Sequence, residues 1–325
     1  MSRIFIDGFE AGDLTLWDIL AGTPTLTADT ALDGEYYVDV NYHSGSDLMA
    51  AIVPADNEYY FALRIKINSV TSGRASFSWR KGSNAILQFA LNGSGNYCVY
   101  RGTTLITTGS KIMDTEEYLI EGHIVIHDTT GVIQLKIDEV LDIDFSGDTK
   151  PGSDTTVDRF LLGRGTIGFE SAAYFDNIII DDADWIGDTS IQAITVTGAG
   201  TTTDWDPSTG SNYECVDEIP YSDTDYNNTN TTNEIDTFAM SNLTGNIDSV
   251  KCVQLQARVA YEGAPTPTHI QLGVRSGGTD YFATDKSPGV SFDVISKILE
   301  TDPDTSSPWT ESGINAMEVG YKATA

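Results

Sequence analysis

Apolar residues along this chain recur at every second position in short runs, the period of a β-strand. Residues 58–68 show it most plainly: in E-Y-Y-F-A-L-R-I-K-I-N, Phe61, Leu63, Ile65 and Ile67 fall on one face, and Arg64 and Lys66 on the other. Further strands are expected at 3–9, 35–42, 49–53, 75–80, 86–91, 97–101, 117–127 and 132–138, with short ones at 160–162 and 167–169. The connections K-G-S-N and N-G-S-G-N have hairpin-turn chemistry, because Gly and Asn accept positive φ. Residues 148–158 are rich in Gly, Ser, Thr and Asp and read as a surface loop. The series closes with Y-F-D-N-I-I-I-D-D-A-D-W-I-G-D, from Tyr174 to Asp188, where the apolar run Ile178–Ile180 sits between acidic clusters. This half shows no helical periodicity.

A second series of strands follows. A Thr/Gly-rich strand pair is expected within 188–204, then strands at 236–240, 249–260 and 269–275, and a last strand at 316–322. Residues 292–299 fit a strand or one helical turn. Residues 220–233, P-Y-S-D-T-D-Y-N-N-T-N-T-T-N, are too polar for a core. At 325 residues the length suits about two domains, with the division at 187/188. Many short strands separated by turn signals indicate β-sandwiches.

Charge narrows the partners. The net charge is −30, spread over both halves: 28 acidic and 12 basic residues up to Gly187, and 20 and 6 after it. So negative a surface repels phosphate backbones, so nucleic acid is not an expected partner. No stretch approaches 18 apolar residues, and M-S-R-I-F-I-D-G-F-E has no apolar signal region, so neither membrane insertion nor a signal peptide is expected. The three cysteines, Cys98, Cys215 and Cys252, lack the spacing of a disulfide framework or zinc site and read as reduced thiols.

Three stretches resemble the concanavalin A-like lectin/glucanase (laminin-G-like) jelly roll over about residues 3–186. They are F-I-D-G-F-E-A-G-D-L-T-L-W, the hairpin Y-L-I-E-G-H-I-V-I-H-D-T-T-G-V-I-Q-L-K-I-D-E-V, and the closing strand A-Y-F-D-N-I-I-I-D-D. The second half resembles a domain of tailed-bacteriophage virion proteins, of tail or head-surface decoration type, in W-D-P-S-T-G-S-N-Y, V-Q-L-Q-A-R-V, V-R-S-G-G-T-D-Y and E-T-D-P-D-T-S-S-P-W-T-E-S-G-I-N-A-M-E-V-G. The expected fold is therefore all-β: two consecutive antiparallel β-sandwich (jelly-roll) domains, the N-terminal one (1–187) concanavalin A-like and the second (188–325) typical of phage virion proteins. The resemblance implies a non-enzymatic structural component, made in the bacterial cytoplasm and displayed on the capsid or tail surface. Its implied partners are other virion proteins, further copies of itself in a homo-oligomer such as a trimer, and a host-surface glycan. A soluble glycan-binding module and a glycan depolymerase are the alternatives.

The residues offer little catalytic chemistry. Glucanases of this fold carry E-x-D-x-x-E; that spacing is absent, and Glu139–Asp142–Asp144 is the nearest arrangement. Of His43, His123, His127 and His269, the pair four apart lies on a strand, where such positions are roughly 13 Å apart, too far to share a metal. No cofactor is required. Calcium is the better metal candidate, because alternating oxygen ligands suit a hard cation. Asp181, Asp182 and Asp184, Asp223 and Asp225 (with Asn227), and Asp302 with Asp304 present such spacings, alongside the reading that they are solvated turn residues. Tyr221 and Tyr226 are candidate ligand contacts in the Tyr/Asn/Thr/Ser-rich segment 221–233, and Trp205 is a further candidate outside it. Trp17, Trp79, Trp185, Trp205 and Trp309 would stack sugars only if exposed.

Overall fold

A computed structural model of the chain describes residues 3–29, 32–41, 48–67, 77–163, 172–263 and 267–325. The expected strand at 167–169 and His43 lie outside the described residues. The chain divides into two compact units, Met1–Ile191 and Gln192–Ala325, a little beyond the expected 187/188. It is nearly all β, built from antiparallel sheets.

The first unit contains β1 (Arg3–Asp7), β2 (Asp18–Ala21), β3 (Thr25–Ala28), β4 (Tyr36–Asn41), β5 (Leu48–Asp56), β6 (Glu58–Ile67), β7 (Phe77–Lys81), β8 (Asn84–Leu91), β9 (Tyr97–Arg101), β10 (Thr104–Thr108), β11 (Glu117–Val125), β12 (Gly131–Ile137), β13 (Val140–Gly147), β14 (Val157–Gly163) and β15 (Ala172–Asp181). One sheet runs β13-β12-β11-β6-β15-β4-β3, with β1 also pairing β15; the other runs β10-β9-β8-β7-β14-β5-β2. Alternation decides what lies between them. Phe61, Leu63, Ile65 and Ile67 of β6 are all buried in the core, as their spacing requires, with Tyr59 in the same phase. Opposite them stand Phe77 and Trp79 of β7, Phe89 of β8 and Phe160 of β14. Phe77 stacks on Phe89 with ring centroids 4.8 Å apart, and Tyr59 on Trp79 at 5.0 Å. Aromatic pairs of this kind add roughly 0.5–1.5 kcal/mol beyond their area burial.

The acid-flanked apolar run forms the centre of the eight-stranded sheet. In β15, Phe175 opposes Ile65 and Asp176 opposes Arg64, but Ile179 opposes Ala62, so the register slips at Asp176–Ile178. Asn177 takes φ 47° there, a left-handed conformation tolerated best by Asn, Asp and Gly. Before this bulge β15 pairs with β4, and after it with β1. One bulge thus lets a single strand serve two neighbours on the same side. The strand also places Asp176, fully buried, in the interior.

The second unit contains β16 (Val196–Thr203), β17 (Asp206–Pro207), β18 (Asn227–Asn228), β19 (Ile235–Met240), β20 (Val253–Val259), β21 (His269–Ser276), β22 (Thr279–Phe282), β23 (Asp293–Leu299), α1 (Glu311–Ala316) and β24 (Glu318–Thr324). Its main sheet runs β16-β19-β24-β21-β22, and β20 pairs with β23. Leu255, Leu272, Val274, Trp309, Ile314 and Met317 make the core. Three expectations change. The strand pair within 188–204 is one strand, β16. Residues 292–299 settle as strand, because β23 pairs with β20 along its whole length, from Val253–Leu299 to Val259–Asp293. The last strand begins at Glu318 and not 316, because Thr310 caps a six-residue helix by accepting from Gly313 N.

Candidate functional site

The outer faces of the two sheets in the first unit use their polar residues differently. On the eight-stranded sheet the chain's own segment after β15 lies across the surface. Gly187 N donates to Glu121 Oε1 at 2.8 Å, and Arg64 pairs with both Glu117 and Asp188. Lys136 Nζ sits 3.6 Å from the Trp185 ring centre, and Tyr60 stacks on His123 at 4.2 Å. His123 Nε2 is 2.9 Å from Glu58 Oε1. Arg64, Lys136 and His123 on this face each have a local partner.

On the seven-stranded sheet Arg80 has no such partner among the described residues. Because Phe77 and Trp79 point into the core, Ser78 and Arg80 point outward from the same strand, roughly 6.6–7 Å apart. By the same alternation Gln88, Tyr100, Arg159 and Leu161 face outward. The register sets them side by side. Leu161, Ser78, Gln88 and Tyr100 are successive cross-strand partners, and Arg159 opposes Arg80. Leu161, Ser78 and Gln88 are buried although they point away from the core; Arg159 and Tyr100 are half-buried, and Ile52, opposite Arg159, is exposed.

Several of these polar groups have unmet bonding capacity. Ser78 Oγ and Arg80 Nε are buried without a hydrogen-bond partner. Gln88 Nε2 donates to Gly102 O. Arg80 is only 9% exposed, and burial alone lowers its pKa, with no carboxylate acting to raise it. Burial and the neighbouring Cys98 thiol raise the Tyr100 pKa. Nearby, Asp158 is shared: it accepts from Gly82 N at 2.8 Å, pairs with Lys81 Nζ at 3.1 Å, and stands 3.8 Å from Arg159 Nε. A buried donor without an acceptor costs about 1–3 kcal/mol, and more when charged. This face therefore carries an uncompensated polar cost.

None of these five residues stood out in the sequence. The signal was present in F-S-W-R, whose alternation sends Ser78 and Arg80 to one side, but the pairing with Arg159 requires β14 to lie beside β7.

The residues expected to bind ligands make the following local contacts. Asp181 Oδ1 accepts from Ala183 N and Asp184 N, a turn at the end of β15, and burial raises its pKa. Asp184 Oδ1 accepts from Trp185 N. Asp182 is exposed beside it. Asp223 is held by Arg258 through both Nε and Nη2, and Asp225 bonds the hydroxyl of Thr224. Asp302 accepts from Ser276 Oγ and Asp304 N, and Asp304 from Tyr281 OH. Among the described residues no three His, Cys, Asp or Glu side chains are gathered to hold a metal ion. Tyr221 OH donates to Gln256 Oε1, and Tyr226 packs 6.2 Å from Phe292. These tyrosines hold the polar segment against the β20–β23 pair. Trp205 packs edge-on against Tyr321 at 4.6 Å and donates to Glu234 O. Trp17, Trp79 and Trp309 are buried.

Glu139 occupies a hairpin turn at φ 65°, next to Asp138 at φ 50°. Asp142 accepts from Ser110 N, Ser110 Oγ and Lys111 N, and Asp144 from Gln134 Nε2. The carboxylates of this hairpin thus hold neighbouring segments in place. All three cysteines are free thiols.

No protein-family model and no curated protein matches the chain. Solved structures similar in fold include a sialidase, with TM-score 0.43 and 14% identity over 56% of this chain. The match spans 19% of that protein. Endo-β-1,4-glucuronan lyase from the fungus Trichoderma reesei has TM-score 0.41 and 13% identity, covering 56% of this chain and 96% of that one. A carbohydrate esterase from the Shiga toxin-encoding bacteriophage phi24B has TM-score 0.43 and 13% identity, covering 55% and 97%. Each is named for work on carbohydrate, and one comes from a phage.

Proposed function

We propose that the chain is a non-enzymatic glycan-binding component of a tailed-phage virion, with the outer face of the seven-stranded sheet as its binding face. The observation that carries this reading is the outward row Ser78–Gln88–Tyr100 beside Arg80, with a buried hydroxyl and a buried guanidinium nitrogen lacking partners. Hydroxyl-rich ligands offer both donors and acceptors to such groups, and the Tyr100 ring adds an amphipathic surface for a sugar ring. Binding without cleavage is supported by Asp158, the carboxylate beside this face, which Lys81 and Gly82 already hold. Display on the capsid or tail surface, contacts with other virion proteins and assembly as a homo-oligomer are supported by the resemblance carried by residues 205–213 and 300–320. Many copies would turn weak single-site binding into avidity.

A glycan array probed with the full chain tests the binding reading. Retention of a defined glycan class is expected, reduced at least several-fold by Tyr100→Ala and by Gln88→Ala. No retained glycan, or retention unchanged in both variants, sinks the assignment of this face. Mass spectrometry of purified particles tests the virion placement, and absence of the chain from them refutes it.

A further inference from the structure

The row just described says that a polar ligand is held, and its flank says something about the ligand's charge. Arg80 and Arg159 are direct cross-strand partners, and like charges so placed repel. Lys81 follows Arg80 at the end of β7. Three cations therefore meet at this corner. Asp158 is the carboxylate paired with them, and it already bonds Lys81 and the Gly82 amide. Its reach to Arg159 is 3.8 Å, and Arg80 makes no ion pair with any described residue. In a chain with 48 acidic and 18 basic residues, a buried arginine without a carboxylate is not explained by a shortage of acids. Four arginines elsewhere are paired: Arg64 with Glu117, Arg101 with Asp148, Arg258 with Asp223 and Arg275 with Asp280.

We infer that the Arg80–Arg159 pair is a carboxylate-recognition site, and that the ligand class is acidic carbohydrate bearing carboxyl-substituted sugars. The inference rests on the glycan reading above and names its substrate class. A guanidinium presents a planar fork that matches a carboxylate with two parallel hydrogen bonds. An anion held by the half-exposed Arg159 removes its repulsion with the neighbouring Arg80. Tyr100, half-exposed on the same face, then meets a sugar ring. The chain's overall negative charge repels polyanions at long range, so recognition depends on this corner and not on a general attraction.

Calorimetry of the full chain with three probes tests this: an oligogalacturonate, the same oligosaccharide with its carboxyl groups reduced to alcohols, and a sulfated neutral oligosaccharide. The expected result is at least tenfold tighter binding of the oligogalacturonate than of the reduced form, with that preference lost in Arg159→Gln. Arg159 is half-exposed and its replacement leaves the core untouched; Arg80→Gln is the second variant, with circular dichroism as the folding control. Equal binding of the acidic and reduced forms overturns the carboxylate assignment while leaving glycan binding in place. Preference for the sulfated probe overturns it in favour of sulfate. Binding of no probe and no glycan on the array overturns both readings. A preference that survives both arginine substitutions places the carboxylate site elsewhere.

Discussion

Asp176→Asn offers a sharp test of how the first unit is held together. Asp176 is fully buried at the β15 bulge; its Oδ1 accepts from Asn177 N at 2.6 Å and its Oδ2 has no partner. Burial pushes its pKa up from 3.8 to about 9, and the nearby Glu10, Asp33 and Asp7 add to the rise. Asp7, fully buried and bonded by Trp17 Nε1 and Phe9 N, is pushed up to about 7. A carboxyl whose folded-state pKa is raised binds its proton more tightly when folded. Stability therefore falls as pH rises above the unfolded value of 3.8, and the loss continues until the folded value is passed. At neutral pH the folded protein holds the Asp176 proton and the unfolded chain does not. The resulting penalty is about 4 kcal/mol as an upper bound, from roughly 1.4 kcal/mol per pH unit over the interval from the unfolded pKa to pH 7. The isosteric amide carries no such penalty. Urea unfolding of the first unit, followed at several pH values between 4.5 and 9, is the assay. Wild type and Asp176→Asn are expected to coincide near pH 4 and to diverge by about 1.4 kcal/mol per pH unit above it, the variant being the more stable. Parallel curves across this range refute the assignment and mean that Asp176 is ionised in the folded state.

Other substitutions probe separate parts of the account. Phe61→Ala removes a ring that touches Phe77, Trp79, Phe89 and Phe160, and an unfolding free energy lowered by about 3–5 kcal/mol is expected; a loss under about 1 kcal/mol contradicts the packing. Thr310→Ala deletes the cap on α1, with an expected cost of about 1 kcal/mol in the second unit's unfolding. Asp223→Ala frees Arg258 and loosens residues 221–226, so limited proteolysis within that segment is expected to accelerate; an unchanged cleavage rate refutes the pinning.

The parts of this molecule legible in its sequence are those set by local period. The alternation in β6 assigned Phe61, Leu63, Ile65 and Ile67 to the core because each residue's side follows from its neighbour's. The closing strand was legible because an apolar run between acidic clusters has few other uses. What local pattern does not carry is register between distant segments. Arg159 and Arg80 meet because β14 lies beside β7, across 78 intervening residues, and nothing near either residue announces it. The segment 220–233 is read from composition alone: its Tyr and Asn side chains suit a binding loop, and its packing, with Tyr221, Asp223 and Tyr226 against Gln256, Arg258 and Phe292, depends on distant strands. The helix Glu311–Ala316, at six residues, is too short to display a period.

The proposed ligand face of this chain is the outer face of the seven-stranded sheet, at Arg80, Arg159, Gln88 and Tyr100. The most direct measurement is a crystal structure of the full chain soaked with a short oligogalacturonate. A sugar carboxylate on the Arg159 guanidinium group, with a ring beside Tyr100, is the predicted result. An oligosaccharide bound on the eight-stranded sheet or in the second unit, with this face empty, contradicts it.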